Sequence, residues 1–482
     1  MLFNTIDFAI FLPIIFILYW FVINKNILRQ NLLITISSYV FYGWWDWRFL
    51  SLIAFSTLVD YIVGNQLSIT KNKNSRKLLL LTSLFINLGL LGFFKYYNFF
   101  LASFTDAFSF FGSSINSRSL DIILPVGISF YTFQTLSYTI DIYKNKINPS
   151  KDIISFAAFV SFFPQLVAGP IERAKNLLPQ FYNKRTFEYH KAVDGMRQIL
   201  WGLFKKIVIA DNCAVFADQI FNNYSDYSGS TLILGAIFFA FQIYGDFSGY
   251  SDIAIGTARL FGFKLMQNFA FPYFSRDIAE FWRRWHISLS TWFRDYLYIP
   301  LGGSRGTNYQ KIRNVFIIFL VSGFWHGPNW TFIIWGALNA LYFLPIMLMK
   351  RNRVNTDTVA KDTLLPSINE LLSMITTFFL TVIAWVFFRS ESVNNGFEYL
   401  LGIIDQSVFT LPHLITPKLE MIYTLFCIAI LLIFEWINRE KEYALDVNNL
   451  SKFNRWSIYF TIILMIITFG VFTQNTFIYF QF

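Results

Sequence analysis

The sequence predicts an all-α polytopic membrane protein, and three observations carry that prediction. Hydrophobic residues make up 55% of the 482 positions and charged residues only 14%, whereas soluble domains carry roughly 25% charged residues. Mean hydropathy is +0.47. The apolar residues also fall into long runs separated by short polar gaps, as repeated crossing of a bilayer requires. Aromatic residues reach 20%, with 59 Phe, a composition suited to dense helix packing and interfacial belts.

A helix needs about 20 apolar residues to cross the hydrocarbon core. Runs of that size lie at 3–23, 31–49, 50–68, 78–100, 121–142, 196–212, 231–252, 331–349, 371–388, 420–437 and 457–475, which sets the expectation of about eleven crossings. The first run is too long for the hydrophobic stretch of a cleavable signal and has no small-residue cleavage site, so it reads as the first crossing. Two further apolar segments, 153–168 and 314–326, are short and read as re-entrant or buried within protein. Lys and Arg concentrate in cytoplasmic loops. Lys25 and Arg29 follow the first crossing, the run 71–77 follows the third, and Lys144, Lys146 and Lys151 follow the fifth. The amino terminus is therefore expected outside. The polar stretch 350–370 reads as the weakest-packed region, a cytoplasmic loop. No internal repeat or soluble domain stands out, and residues 1–482 read as one integral-membrane domain.

The net charge of +10 follows from these loops, and no basic run interleaves with a nucleic-acid fold signature, so nucleic acid is not an expected partner. Cys213 and Cys427 support neither a disulfide framework nor a thiolate metal site. The four histidines, His190, His286, His326 and His413, show no metal-ligand spacing, and no metal is expected. No nucleophile elbow or phosphate loop occurs.

Ionisable and polar groups are costly inside a membrane, so their positions are informative. In FFPQLVAGPIER, 162–173, Pro164, Gly169 and Pro170 break any helix, and Gln165 and Glu172 sit within the break. Such backbone must be buried in protein or line an aqueous cavity. In 244–262, Asp246 and Asp252 accompany Gly245, Gly249 and Gly256, which permit close helix approach. These carboxylates read equally as packing elements and as functional groups. Over 275–306, helical spacing puts Trp282, Trp285, Leu289, Trp292 and Tyr296 on one stripe and Arg283, His286, Ser290 and Arg294 on another. That pattern suits a helix lying at the cytoplasmic interface, and it leaves the role of His286 open. In SGFWHGPNW, 322–330, Gly327 and Pro328 end a helix directly after His326. An imidazole at the tip of a helix pair is the obvious proton acceptor near neutral pH.

Several of these stretches, with two others, resemble the membrane-bound O-acyltransferase superfamily: SYVFYGWWDWRF at 38–49, LPVGISFYTFQTLSYTID at 124–141, FFPQLVAGPIER at 162–173, YGDFSGYSDIAIG at 244–256, FWRRWHISLSTWFRDYLYIPLGG at 281–303 and SGFWHGPNWTFIIWG at 322–336. They cover most of 1–340 in the family's order, with the motif-bearing core at about 38–340 and helices over 371–475 following it. The nearest branch is that of the bacterial alginate O-acetyltransferase membrane subunits, with the D-alanine exporters of teichoic acids next to it. The resemblance implies a helical core around a tunnel, with His326 of the WHG motif as the catalytic residue and His286 of the RWHISLS motif as the second histidine. It also draws Gln165 toward the tunnel lining.

The implied reaction is transfer of an acyl group, acetyl first among the candidates, from a cytoplasmic thioester to a hydroxyl outside the cell. Acetyl-coenzyme A is the expected donor, with Arg283, Arg284 and Arg294 attracting its phosphates. His326 would take the hydroxyl proton, and His286 and Asn329 would steady the oxyanion. The implied setting is the bacterial inner membrane. An extracytoplasmic lipase-like (SGNH) acyltransferase or polysaccharide-export machinery would act as partner. Two other readings stand beside this one: D-alanyl transfer from a carrier protein to a teichoic acid-type polymer, and a non-enzymatic transporter or flippase.

Overall fold

The structure is a computed structural model that describes residues 1–112, 119–413, 417–472 and 477–478. Every regular element among them is helical. The chain divides into two compact units, Met1–Ala192 with Thr257–Met266, and Val193–Gly256 with Gln267–Phe482.

The first unit contains α1 (Ile6–Ile17), α2 (Ile27–Asp46), α3 (Leu50–Ile69), α4 (Lys73–Leu91), α5 (Tyr97–Phe110), α6 (Ile128–Tyr143), α7 (Ile153–Val160) and the short α8 (Ala174–Leu177). Its helices are pinned by buried polar groups. Asp60 on α3 accepts hydrogen bonds from Asn87 and Ser83 on α4, at 2.9 and 2.5 Å, and from Thr139 on α6 at 3.1 Å. The Pro/Gly-rich segment after α7 is irregular until Arg173 and buried throughout, as backbone without helical hydrogen bonds must be at membrane depth. Gln165 lies in this segment. It donates to Gln134 Oε1 at 3.0 Å, and Gln134 donates in turn to the Phe159 carbonyl at 2.6 Å.

The remaining helices are α9 (Tyr189–Leu203), α10 (Asp211–Asn222), α11 (Gly229–Leu260), α12 (Ile278–Arg284), α13 (Ile287–Phe293), α14 (Asn308–His326), α15 (Trp330–Leu348), α16 (Ile368–Arg389), α17 (Val393–Ile404), α18 (Lys418–Ile437) and α19 (Lys452–Phe469). In the second unit α9 packs closely on α11: a Cβ on Gly202 would stand 2.6 Å from the Gly249 carbonyl. The aspartates of this region are paired. Asp246 meets Lys206 at 2.8 Å and Asp252 meets Lys205 at 2.5 Å. Buried carboxylates need such partners, and here they fasten α11 to the chain that follows α9.

By length and composition, six helical runs among the described residues can cross a membrane: Ile27–Ile69, Lys73–Phe110, Gly229–Leu260, Trp330–Leu348, Ile368–Arg389 and Lys418–Ile437. This measure does not confirm the expected count of about eleven, because its runs Ile27–Ile69 and Lys73–Phe110 each hold two helices. The crossings expected at 31–49 and 50–68 join into one run of 43 residues. The region 3–23 forms an apolar helix over Ile6–Val22, and 121–142 forms a helix of 16 residues. Residues 196–212 carry the ion-paired Lys205, Lys206 and Asp211. The expected crossing 457–475 ends as a helix at Phe469, and its positions 473–475 lie outside the described residues. Positions 113–118 and 414–416 do so too.

Three segments differ from expectation for identifiable reasons. Residues 314–326 do not form a short element of their own. A capping box between Thr307 and Gln310 starts the helix before the apolar run begins, which gives α14 its 19 residues. The stretch 275–306 is not one interfacial helix. It breaks between α12 and α13 at His286, whose backbone is left-handed at φ +43° and ψ +53°. The polar loop 350–370 is firmly held. Arg439 donates to the carbonyls of Val359, Ala360 and Thr363 at 3.0, 2.7 and 2.6 Å, and Val359 is fully buried.

Candidate functional site

The hairpin of α14 and α15 is built on two glycines. A Cβ on Gly323 would collide with the Phe332 carbonyl, and one on Gly336 with the Phe319 carbonyl. Small residues of this kind let helix backbones touch. The seam brings the last turn of α14 against the first turns of α15, and His326 closes α14 before the extended Gly327. Asn329 then caps α15, accepting from the Thr331 amide at 3.0 Å and donating to the Glu391 carbonyl at 2.8 Å. Both ends of its side-chain amide are thus engaged in joining α15 to the chain after α16.

Of the four histidines, His190 and His413 are exposed, while His286 and His326 retain only 1% and 3% of their accessible surface. The ring of His326 stands among aromatic neighbours: Trp325 at 5.0 Å between centroids, Trp335 at 5.1 Å and Phe388 at 5.3 Å, all near perpendicular. Trp385 stacks on Trp335 at 5.6 Å. The second histidine approaches the same indole, with the His286 and Trp325 centroids 6.0 Å apart. Folding therefore brings His286 and His326 against one shared ring.

The break that carries His286 is clasped by the irregular segment 267–270. The Ala270 amide donates to the Arg284 carbonyl and the Ile287 amide to the Asn268 carbonyl, each at 2.9 Å. Arg284 completes the clasp by donating to the Ala270 carbonyl at 3.1 Å and to Glu280 at 2.9 Å. A non-glycine residue held in a sparsely populated backbone region costs about 1–3 kcal/mol and persists only where its surroundings over-determine it. These bonds supply that constraint.

A cavity of about 470 Å³ is lined by sequence neighbours of the two histidines, although neither histidine is itself among its lining residues. Trp282, Phe319 and Phe343 form part of its apolar wall, and Arg283, Arg294 and Arg353 contribute cationic groups. It reaches Ser322, one helical turn before His326, and Ile287, the residue after His286. Arg283 also donates to the carbonyls of Asn352 and Asn355, at 2.9 and 2.6 Å. Burial lowers its pKa from the ordinary value while Asp277 and Glu280 oppose the shift, and a guanidinium so placed stays charged at physiological pH. Arg294 pairs with Asp295 at 2.7 Å and is largely exposed. Arg284, held by Glu280, is not among the residues lining the cavity. Gln165 belongs to the first unit, in its own hydrogen-bonded chain.

Sequence reasoning did not single out Asn268, Arg353 or the Trp335–Trp385–Phe388 cluster. Asn268 meets His286 across non-helical chain, where no periodicity signals a partner. Arg353 looked like one cation of a polar loop. Among the described residues no group of three or more His, Cys, Asp or Glu side chains is placed to hold a metal ion.

Comparison with known proteins gives this geometry its context. The model of the membrane-bound O-acyltransferase family matches residues 147–387, which include both buried histidines and the cavity. A Pseudomonas aeruginosa protein named "Probable alginate O-acetylase AlgI" is 42% identical over 407 residues, covering 84% of this chain and 75% of its own. The peptidoglycan O-acetyltransferase of Helicobacter pylori is 36% identical over 443 residues, covering 86% of this chain and 82% of its own. The teichoic acid D-alanyltransferase of Bacillus subtilis is 27% identical over 232 residues, covering 46% of this chain and 58% of its own. With a helical polytopic fold, a matched family core and relatives aligned over most of both chains, this protein belongs to the membrane-bound O-acyltransferase family, in its alginate O-acetylase-like branch, and is an O-acetyltransferase.

Proposed function

We propose that the chain takes an acetyl group from acetyl-coenzyme A on the cytoplasmic side and delivers it to a hydroxyl of an extracytoplasmic polysaccharide. Delivery is direct or passes through a separate extracytoplasmic acyltransferase. The observation that carries this reading is the position of His326, a buried imidazole at a helix end, one turn from the cavity residue Ser322. In the proposed step neutral His326 accepts the hydroxyl proton as the oxygen attacks the thioester carbonyl. The tetrahedral intermediate then expels the thiolate, which recovers the proton from the imidazolium. Arg283, Arg294 and Arg353 at the cavity suit a donor rich in phosphate. The apolar wall of Trp282, Phe319 and Phe343 suits its flexible arm.

The acetyl reading is favoured over D-alanyl transfer because similarity to the acetylases spans 84% and 86% of the chain, against 46% for the D-alanyltransferase. The basic loops after the first, third and fifth expected crossings support a bacterial inner-membrane orientation with the amino terminus outside. His326→Ala tests the reading. Acetylation of the extracellular polymer should fall by roughly 10²–10⁴-fold, the typical contribution of a general base. Near wild-type acetylation at normal membrane abundance would remove His326 from the mechanism.

A further inference from the structure

The hydrogen bonds around His286 determine which of its nitrogens carries the proton. The Ser288 backbone amide, which can only donate, points at Asn268 Oδ1 at 3.2 Å, and Ser288 Oγ reaches the same atom at 2.8 Å. An amide's oxygen and nitrogen are told apart by such partners. The orientation of the Asn268 amide is thereby fixed, with its nitrogen donating to Ser251 Oγ at 3.1 Å. His286 Nδ1 stands 3.1 Å from the same Oδ1. Ser288 Oγ also lies 3.4 Å from Nδ1, but its hydrogen is directed to Asn268 Oδ1 at 2.8 Å, so Nδ1, facing an oxygen that can only accept, bears the hydrogen. In the neutral ring Nε2 is then a bare lone pair. That atom is buried and has no hydrogen-bond partner among the described residues.

We infer that Asn268 is a positioning residue for acyl transfer: it holds His286 as the Nδ1–H tautomer, so that Nε2 accepts a hydrogen bond from an O–H or N–H of the bound substrate. The inference rests on the acyl-transfer reading above and reverses the role expected for His286 from sequence, that of a donor to the oxyanion. A buried acceptor left without a donor is costly, and Asn268, fully buried itself, forces this arrangement. The rings facing the imidazole are Phe247 on α11 at 4.6 Å, Phe269 at 6.4 Å and Trp325 on α14 at 6.0 Å. None of them is charged. The ionic groups that line a small cavity with Asn268 are Lys205, Asp252, Glu435 and Glu442.

The test uses the full chain in inverted membrane vesicles with radiolabelled acetyl-coenzyme A, following label incorporated into the endogenous acceptor at matched protein abundance. In His286→Gln the amide oxygen takes the place of Nε2. In His286→Asn the amide nitrogen takes the place of Nδ1–H and leaves nothing at Nε2. The glutamine variant should retain at least about tenfold more incorporation, since what is lost with asparagine is a hydrogen bond made to the reacting complex. Asn268→Asp keeps the acceptor for Nδ1 and for Ser288 but adds negative charge, which favours the imidazolium. Because the reaction needs the neutral lone pair, the acid limb of the pH–rate profile should move to higher pH.

Asparagine performing as well as glutamine would mean that His286 only anchors Asn268, and would overturn the inference. An acid limb that stays put or moves to lower pH would overturn it equally. If Asn268→Asp fails to accumulate, the glutamine–asparagine comparison decides alone. His326→Ala run alongside keeps the two questions apart: full incorporation there defeats the acyl-transfer reading whatever happens at 286.

Discussion

His326 and Trp335 meet edge to face across the α14–α15 hairpin, their centroids 5.1 Å apart and their planes at 85°. Trp335 in turn stacks on Trp385 of α16, so the imidazole is oriented by rings from two further helices. Trp335→Ala should lower stability by about 3–5 kcal/mol, as for other buried aromatic truncations, and should depress transfer beyond what lower abundance explains. Trp335→Phe, which keeps a ring edge at the site, should retain more of both. Unfolding midpoints in detergent and transfer per molecule of membrane protein read the two effects separately.

The seam beneath that contact allows a sharper test. Gly323→Ala sets a methyl group against the Phe332 carbonyl, and backbone cannot yield as a flexible side chain can. A destabilisation of about 1–3 kcal/mol is expected from overpacking. Transfer should fall by about 10²-fold, because displacements near 1 Å disrupt reacting geometry. Transfer at wild-type level in a folded Gly323→Ala protein would show that the spacing of α14 and α15 does not govern the reaction.

At the cavity, Arg283→Ala and Arg294→Ala should raise KM for acetyl-coenzyme A while leaving kcat within a few-fold, since phosphate contacts are made equally in ground and transition states. Loss of one charge-assisted hydrogen bond corresponds to roughly ten- to a hundred-fold in KM. For the largely exposed Arg294 the effect should shrink as salt is added. A fall in kcat at unchanged KM would place these cations in the chemical step instead.

Asn329 separates capping from chemistry. Asn329→Ala removes the bond to the Thr331 amide and should lower stability by about 1 kcal/mol, and Asn329→Ser should recover most of that loss. Transfer should remain within a few-fold of wild type in both. A tenfold loss in the serine variant, with its cap intact, would assign the amide a part in the reaction.

Much of this architecture is legible in the sequence because membranes make misplaced residues conspicuous. His326 stands out because Gly327 and Pro328 end its helix inside an apolar region, and Gln165 because a Pro/Gly break surrounds it. The clasp around His286 is not legible. The aromatic spacing over 282–296 fits a continuous helix, and only tertiary bonds from Asn268 and Ala270 reveal that the chain turns at 286. Asp246 and Asp252 likewise left two readings open because Lys205 and Lys206 sit some forty positions earlier. Periodicity reports neighbours on one helix and is blind to pairs formed between elements.

The loop after α15 shows what that blindness implies at the bench. Three arginines from two stretches of chain, Arg276 and Arg283 at α12 and Arg439 after α18, donate to its carbonyls, so a stretch that looks like a loose tether is laced down. Most of its side chains are exposed, but its tied-down backbone should slow cleavage in protease mapping of topology, although it lies outside the candidate membrane spans. An epitope tag or fluorescent fusion inserted there would unpick the lacing instead of reporting on which side of the bilayer it sits.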